Sequence, residues 1–148
     1  MKKITIIFLT FLIVFLSSIS TGFSQEQPDY TYYFNLGYSK LVDGQFNQAI
    51  DIFNQTIELQ PDCSEAYLGL GIAYRQLHEL EKALKATQKA LDYNPRYYKA
   101  YYNLGLIYEE KGKKKEALEA FKRFFKKVPE ARNIPDLREK IKQLEKEA

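Results

Sequence analysis

The sequence has one cysteine, one histidine and one methionine, and no tryptophan, in 148 residues. With Cys63 alone, no disulfide can close within the chain. A Cys/His metal site needs several such ligands close together, and Cys63 and His78 are the whole supply. No metal and no other cofactor is therefore expected. Seven glycines and five prolines are too few for a collagen-like or low-complexity chain. A large excess of one charge is lacking too. The formal net charge is +3, too small to imply a nucleic-acid partner. There is no Gly-rich phosphate loop and no Ser/His/Asp set. Glu109 and Glu110 are paired acids, but adjacent residues on a helix point different ways. The sequence does not read as an enzyme, and no catalytic residue is assigned.

What is present is an apolar, aromatic-rich chain. Apolar residues make up 45%, with 12 Tyr and 10 Phe, enough to build a folded core. The first segment reads differently from the rest. Lys2 and Lys3 precede an apolar run over residues 4–16, followed by small and polar residues up to Ser24. This is the layout of a secretory signal peptide over residues 1–24. Gly22 and Ser24 suit cleavage before Gln25, and Ser18 and Ser20 offer an earlier site. The run is short of the ~20 residues that span a bilayer, which favours cleavage over an uncleaved anchor. A periplasmic or secreted location is expected, with a membrane contact only if the segment is retained.

Charge is unevenly spread along the remainder. Residues 25–76 carry 2 basic and 7 acidic residues, whereas residues 77–148 carry 18 basic and 12 acidic. Such polarity can orient a partner at near-zero overall charge.

The strongest signal is a repeat of period 34. Pro61, Pro95 and Pro129 are each 34 apart, as are Gly37, Gly71 and Gly105. Leu36, Leu70 and Leu104 keep the same register, as do Ala49, Ala83, Ala117 and Tyr33, Tyr67, Tyr101. The units run over residues 30–63, 64–97 and 98–131, with residues 25–29 as a lead and 132–148 as a tail. Each unit reads as two helices. Tyr67, Leu70, Gly71, Tyr74 and Leu77 share one helical face. Leu80, Ala83, Leu84, Thr87, Ala90 and Leu91 share another. Gly44 and Gly112 suit the left-handed position after a helix end. Gly37, Gly71 and Gly105 lie mid-helix at a cost of ~1 kcal/mol each. Close approach of the partner helix explains that cost, with Ala49, Ala83 and Ala117 expected to face them. In the tail, Ile134, Leu137, Ile141 and Leu144 form one narrow apolar stripe from about Pro135 to Glu147. A helix with one sticky face suits the capping of a repeat stack. At the other end, Asp29 is the expected N-cap of the first helix.

This pattern resembles the tetratricopeptide repeat. Repeat two carries Tyr67, Leu70, Gly71, Tyr74, Ala83, Ala90 and Pro95 at the family's positions and departs at Thr87. Repeat three carries Tyr101, Leu104, Gly105, Tyr108, Ala117, Phe121 and Pro129 and departs at Phe124. Repeat one departs at Lys40 and Thr56. The resemblance implies an all-α solenoid of antiparallel helix hairpins, three repeats with a C-terminal capping helix. It also implies a non-enzymatic scaffold that holds a peptide or helix of a protein partner in a concave groove. Small exported relatives imply a role in assembling envelope complexes.

Carried onto this sequence, the family's groove positions are Thr31, Glu65 and Lys99, then Phe34, Leu68 and Tyr102, then Tyr38, Ile72 and Leu106. Arg75 and Glu109 complete the set, with Leu41, Val42, Gln76 and Glu110 beside them. The apolar members are not needed by the repeat's packing motif, which marks them as a binding floor. The competing reading is that they are core. The family's clamp for chaperone carboxylate tails is absent. Phe34, Tyr38, Gly69 and Asn103 stand at clamp positions, and only Lys99 fits.

Other features read blandly. The run from Lys111 to Lys115, with Lys122, Arg123, Lys126 and Lys127, has acidic neighbours and reads as a solvated face. Cys63 is expected to pack and His78 to sit in a surface turn. Asn54-Gln55-Thr56 lies within a helix, which argues against glycosylation there. Two further readings stay open: self-association into a homo-oligomer, and a membrane-anchored adaptor that retains the leader.

Overall fold

The computed structural model describes residues 29–133 and 135–147. The predicted leader and Ile134 lie outside them. Among the described residues the α-helices are α1 (Tyr30–Val42), α2 (Phe46–Leu59), α3 (Ser64–Gln76), α4 (Leu80–Tyr93), α5 (Tyr98–Glu110), α6 (Lys114–Lys127) and α7 (Pro135–Glu147). A 3₁₀ turn, Pro129–Asn133, joins α6 to α7.

The helices pair in chain order. The hairpins are α1/α2, α3/α4 and α5/α6, and α7 packs on α6. Successive first helices touch (α1 with α3, α3 with α5), whereas successive second helices do not touch among the described residues. The stack therefore bends with α1, α3 and α5 on its inner side. The fold is an all-α solenoid of three hairpins and a capping helix, as expected from the sequence.

Local chemistry sets the helix ends. The Asp29 carboxylate accepts from the Tyr32 amide at 3.1 Å, capping α1. Gly44 and Gly112 take positive φ, 74° and 70°, and so does His78 at 58°. These three residues are one repeat apart and close the first helix of each hairpin. The reversed backbone lets the next amide reach back: Gln45 to Lys40, Glu79 to Tyr74 and Lys113 to Tyr108, at 2.8–2.9 Å.

Packing corrects one expectation. The mid-helix glycines do not primarily face the alanines. A Cβ on Gly37 would lie 2.9 Å from the Phe53 ring, and one on Gly105 would lie 2.5 Å from Phe121. A Cβ on Gly71 would meet the Thr87 hydroxyl first, with the Ala83 carbonyl oxygen next at 3.3 Å. The side chain four residues beyond each alanine, a ring at Phe53 and Phe121 and a hydroxyl at Thr87, reaches further than the alanine methyl and fills the contact. Phe53 is also pressed against the next repeat, since a Cβ on Gly69 would lie 2.4 Å from its ring.

The core falls into three clusters along the stack. Ala49, Phe53, Cys63, Ala66 and Leu70 join repeats one and two. Leu68, Ala90 and Ala100 join repeats two and three. Phe121 and Phe125 of α6 pack on Leu137, Ile141 and Leu144 of α7. That contact covers the apolar face of the last hairpin and realises the expected cap. Cys63 is buried, and burial raises its thiol pKa above the ordinary value. Thr56, a departure from the repeat pattern, is fully buried. Its hydroxyl donates to the Ile52 carbonyl at 3.0 Å, so the polar atom is satisfied within its own helix.

Candidate binding groove

The 34-residue period brings equivalent positions of α1, α3 and α5 side by side on the inner face. A cleft of about 530 Å³ opens there. Its lining includes Phe34, Tyr38, Glu65, Leu68, Ile72, Arg75, Lys99, Tyr102 and Leu106 of the predicted set. Thr31 and Glu109 do not line it. The Thr31 hydroxyl turns to the Asp29 carboxylate at the helix start. Glu109 is drawn out by α7, where Lys140 Nζ lies 2.7 Å from its Oε2.

The floor is graded in exposure. Leu68 is only 4% exposed and packs against Ala90 and Ala100, so it is core that the cleft merely reaches. Phe34, Ile72 and Leu106 are half-buried. Tyr38 is 57% exposed and Tyr102 37%. Tyr102 rests on the rings of Phe121 and Phe124, with centroids 5.9 and 5.2 Å away. These residues pair an apolar body with a polar tip, the type that anchors partner side chains.

The cleft also takes residues outside the predicted set. Asn35, Gly69 and Asn103 line it and are themselves 34 apart, a row adjoining the one at Phe34, Leu68 and Tyr102. That period was the available signal. Leu41, itself a groove position carried over from the family, lines the floor with the fully buried Phe53, whose ring has room because Gly37 and Gly69 lack side chains. Tyr97, from the link before α5, forms part of the wall. Burial and then the negative charge of Glu65 push its phenol up to about 12.

A polar relay braces the other wall. The Arg75 Nε donates to Asn103 Oδ1 at 3.1 Å, and its Nη1 lies 2.8 Å from Glu110 Oε1. Asn103 Nδ2 in turn donates to the Thr87 hydroxyl at 2.8 Å, which donates to the Ala83 carbonyl at 2.8 Å. Asn103 is 3% exposed and Thr87 is fully buried. The relay ties repeat two to repeat three and fixes the Arg75 guanidinium at the cleft. At the opposite wall, Lys99 is exposed and has no ion pair among the described residues. The Glu65 carboxylate accepts from the Ser64 hydroxyl at 2.9 Å. Among the described residues no group of His, Cys, Asp or Glu is placed to hold a metal ion. The site is therefore an apolar trough with fixed polar walls, suited to apolar side chains on an extended or helical segment.

Residues 34–90 and, overlapping them, 73–131 match the model of the tetratricopeptide repeat. The chain belongs to the tetratricopeptide repeat family.

Solved structures agree with this assignment. The chain is similar to MamA at 28% identity, covering 78% of this chain and 73% of that one, with a TM-score of 0.65. It shares the fold of the Arabidopsis OM64 tetratricopeptide domain at 21% identity, covering 80% and 96%, with a TM-score of 0.74. It likewise shares the fold of the first such domain of Spaghetti bound to an HSP90 peptide, at 19% identity, covering 80% and 91%, with a TM-score of 0.72. No curated protein matches the chain. As a tetratricopeptide repeat protein it carries a protein-interaction domain, and the cleft lies on the inner side of that domain's solenoid.

Proposed function

We propose that this tetratricopeptide repeat protein is a non-enzymatic, exported scaffold that seats a peptide or helix of a protein partner in its inner cleft. One observation carries the reading: Tyr38 and Tyr102 stay exposed in the same cleft as half-buried Ile72, at positions outside the repeat's packing motif. Among structural relatives, the Spaghetti domain is bound to an HSP90 peptide and the Sti1 domain is in a complex with pHsp70. Those likenesses support a groove that takes peptide. The apolar floor here points to apolar anchors rather than an acidic tail, since Phe34 and Tyr38 stand at two clamp positions.

Export rests on the leader. Lys2, Lys3 and the apolar run over residues 4–16 support removal before Gln25 and a periplasmic or secreted site, where the scaffold would help assemble envelope complexes. Among the described residues no helix is long and apolar enough to cross a membrane. The intact mass of the protein from fractionated native cells tests this. A soluble species beginning at Gln25 is expected, and a full-length membrane-bound species would make it an anchored adaptor instead.

The groove is tested by a photo-activatable residue at Tyr102, with a control at Lys122. Lys122 lies on α6 near Glu145 of α7, away from the cleft. A partner captured at Tyr102 only, and lost when Tyr38 and Ile72 become Ala, is expected. Equal capture at both positions, or none at Tyr102, would reduce the aromatic floor to core.

A further inference from the structure

The outer side of the solenoid carries two surfaces that complement each other in charge. On α2, Gln48, Asp51, Gln55 and Glu58 form one exposed stripe at helical spacing. One repeat later the same positions are Lys82, Lys85, Lys89 and Asp92. The register is the same, and the dominant charge is reversed.

The basic set borders a furrow of about 480 Å³ between α3 and α4, with Tyr67, Leu70 and Tyr74 in its lining. Lys82 Nζ lies 5.4 Å from the Tyr74 ring centre, and Lys89 Nζ lies 4.8 Å from that of Tyr93. Tyr93 itself stacks on Tyr67 at 5.4 Å. The lysines are thus held over aromatic faces rather than left waving. The furrow shares no lining residue with the inner cleft.

The ion-pair pattern is lopsided. Among the described residues, every ion pair lies at or beyond Arg75. Asp51 and Glu58 have none, and Lys85 and Lys89 have none. Lys82 pairs with Glu79 at 2.5 Å. Asp51 and Glu58 are two helical turns apart, about 10.5 Å along the axis. Lys82 and Lys89 are the same distance apart. Leu59, 48% exposed beside Glu58, adds an apolar contact.

We propose that a second copy of this chain docks the acidic stripe of its α2 into the lysine–tyrosine furrow of repeat two. A two-fold pair, with each stripe in the other's furrow, and a head-to-tail row both set acid against lysine at every contact. A foreign acidic helix would satisfy the furrow but leave Asp51 and Glu58 unpaired. A second copy satisfies both with one contact. The inference is independent of the inner cleft.

Sedimentation of the purified full chain tests it at about 0.05 and 0.5 M salt. Two charge-reversed variants are compared, Asp51→Lys/Glu58→Lys and Lys82→Glu/Lys89→Glu. All four residues are exposed, and circular dichroism checks that both variants fold. The native chain is expected to associate, and roughly tenfold more weakly at the higher salt. Each variant alone should be monomeric, and an equimolar mixture should associate again, since every contact then joins opposite charges. A native chain that is monomeric at all concentrations overturns the proposal. So does association that survives either reversal, or a mixture that stays monomeric. A monomeric native chain whose furrow binds a polyglutamate peptide would assign the furrow to a foreign acidic segment instead.

Discussion

Asn103 of repeat three donates to the Thr87 hydroxyl of repeat two across 2.8 Å, at a place where the neighbouring interface has a ring against a glycine. Phe53 occupies the position equivalent to Thr87, and Gly69 the position equivalent to Asn103. A Cβ on Gly69 would come within 2.4 Å of the Phe53 ring. The two interfaces thus solve one packing problem in two ways, large ring with no side chain or small hydroxyl with an amide. Neither member can change alone.

Thr87→Phe, which restores the family pattern, should therefore destabilise the domain by about 1–3 kcal/mol through overpacking against Asn103. Thr87→Phe with Asn103→Gly should recover part of that loss. Urea unfolding of both single variants and the double variant gives the coupling, expected at about 1–2 kcal/mol in favour of the double. Additive effects would show that the pair does not act as a unit.

This pair also marks where the sequence stops being legible. The hairpins follow from residues that recur within each unit, such as Leu70 and Leu104, so period and helical spacing suffice. Thr87 stands out only as a departure, because its reason lies in the next repeat. Glu109 holds a groove position, but Lys140 of α7 lies outside the repeat register and claims it. Leu68 shares its register with Phe34 and Tyr102, yet Ala90 and Ala100 bury it. Periodicity fixes which positions share a face. It does not weigh the depth at which each side chain ends.

His78 holds the left-handed position that Gly44 and Gly112 hold in the other hairpins, at φ 58°. A side chain there costs about 1–2 kcal/mol against glycine. Its ion-pair partner among the described residues is Glu110 at 4.0 Å, and the His78 side chain is 87% exposed, so little is lost on removal. His78→Gly should stabilise the domain by about 1 kcal/mol, read as a higher urea midpoint with an unchanged slope. A lower midpoint would mean that the imidazole contributes more than its conformation costs.

The Tyr97 phenol gives a pH signature at the cleft wall. Burial and the nearby Glu65 charge raise it from 10 to about 12. The folded state then keeps a proton that the unfolded state releases first. Stability from this group is full below about pH 10 and falls as pH rises toward 12. Tyr97→Phe should make the loss of stability over that window shallower than in the native chain. Thermal unfolding at matched pH values compares the two, and identical slopes would place the phenol in solvent.

Exposure separates binding from stability along the floor of the cleft. Tyr38 is 57% exposed, so Tyr38→Ala should change folding stability by no more than about 0.5 kcal/mol. As an aromatic anchor, its loss should still weaken partner binding by about 2 kcal/mol, some thirtyfold. Leu68 is 4% exposed and touches Ala90 and Ala100, so Leu68→Ala leaves a cavity and should cost about 2–5 kcal/mol of stability. Its effect on binding should track the fraction unfolded. Affinity for a captured partner segment, measured beside urea unfolding on the same preparations, tests both claims. If Tyr38→Ala unfolds the domain, Tyr38 is core. If it leaves both affinity and stability unchanged, the partner does not touch the repeat-one end of the cleft, and the anchors must be sought at Ile72 and Tyr102.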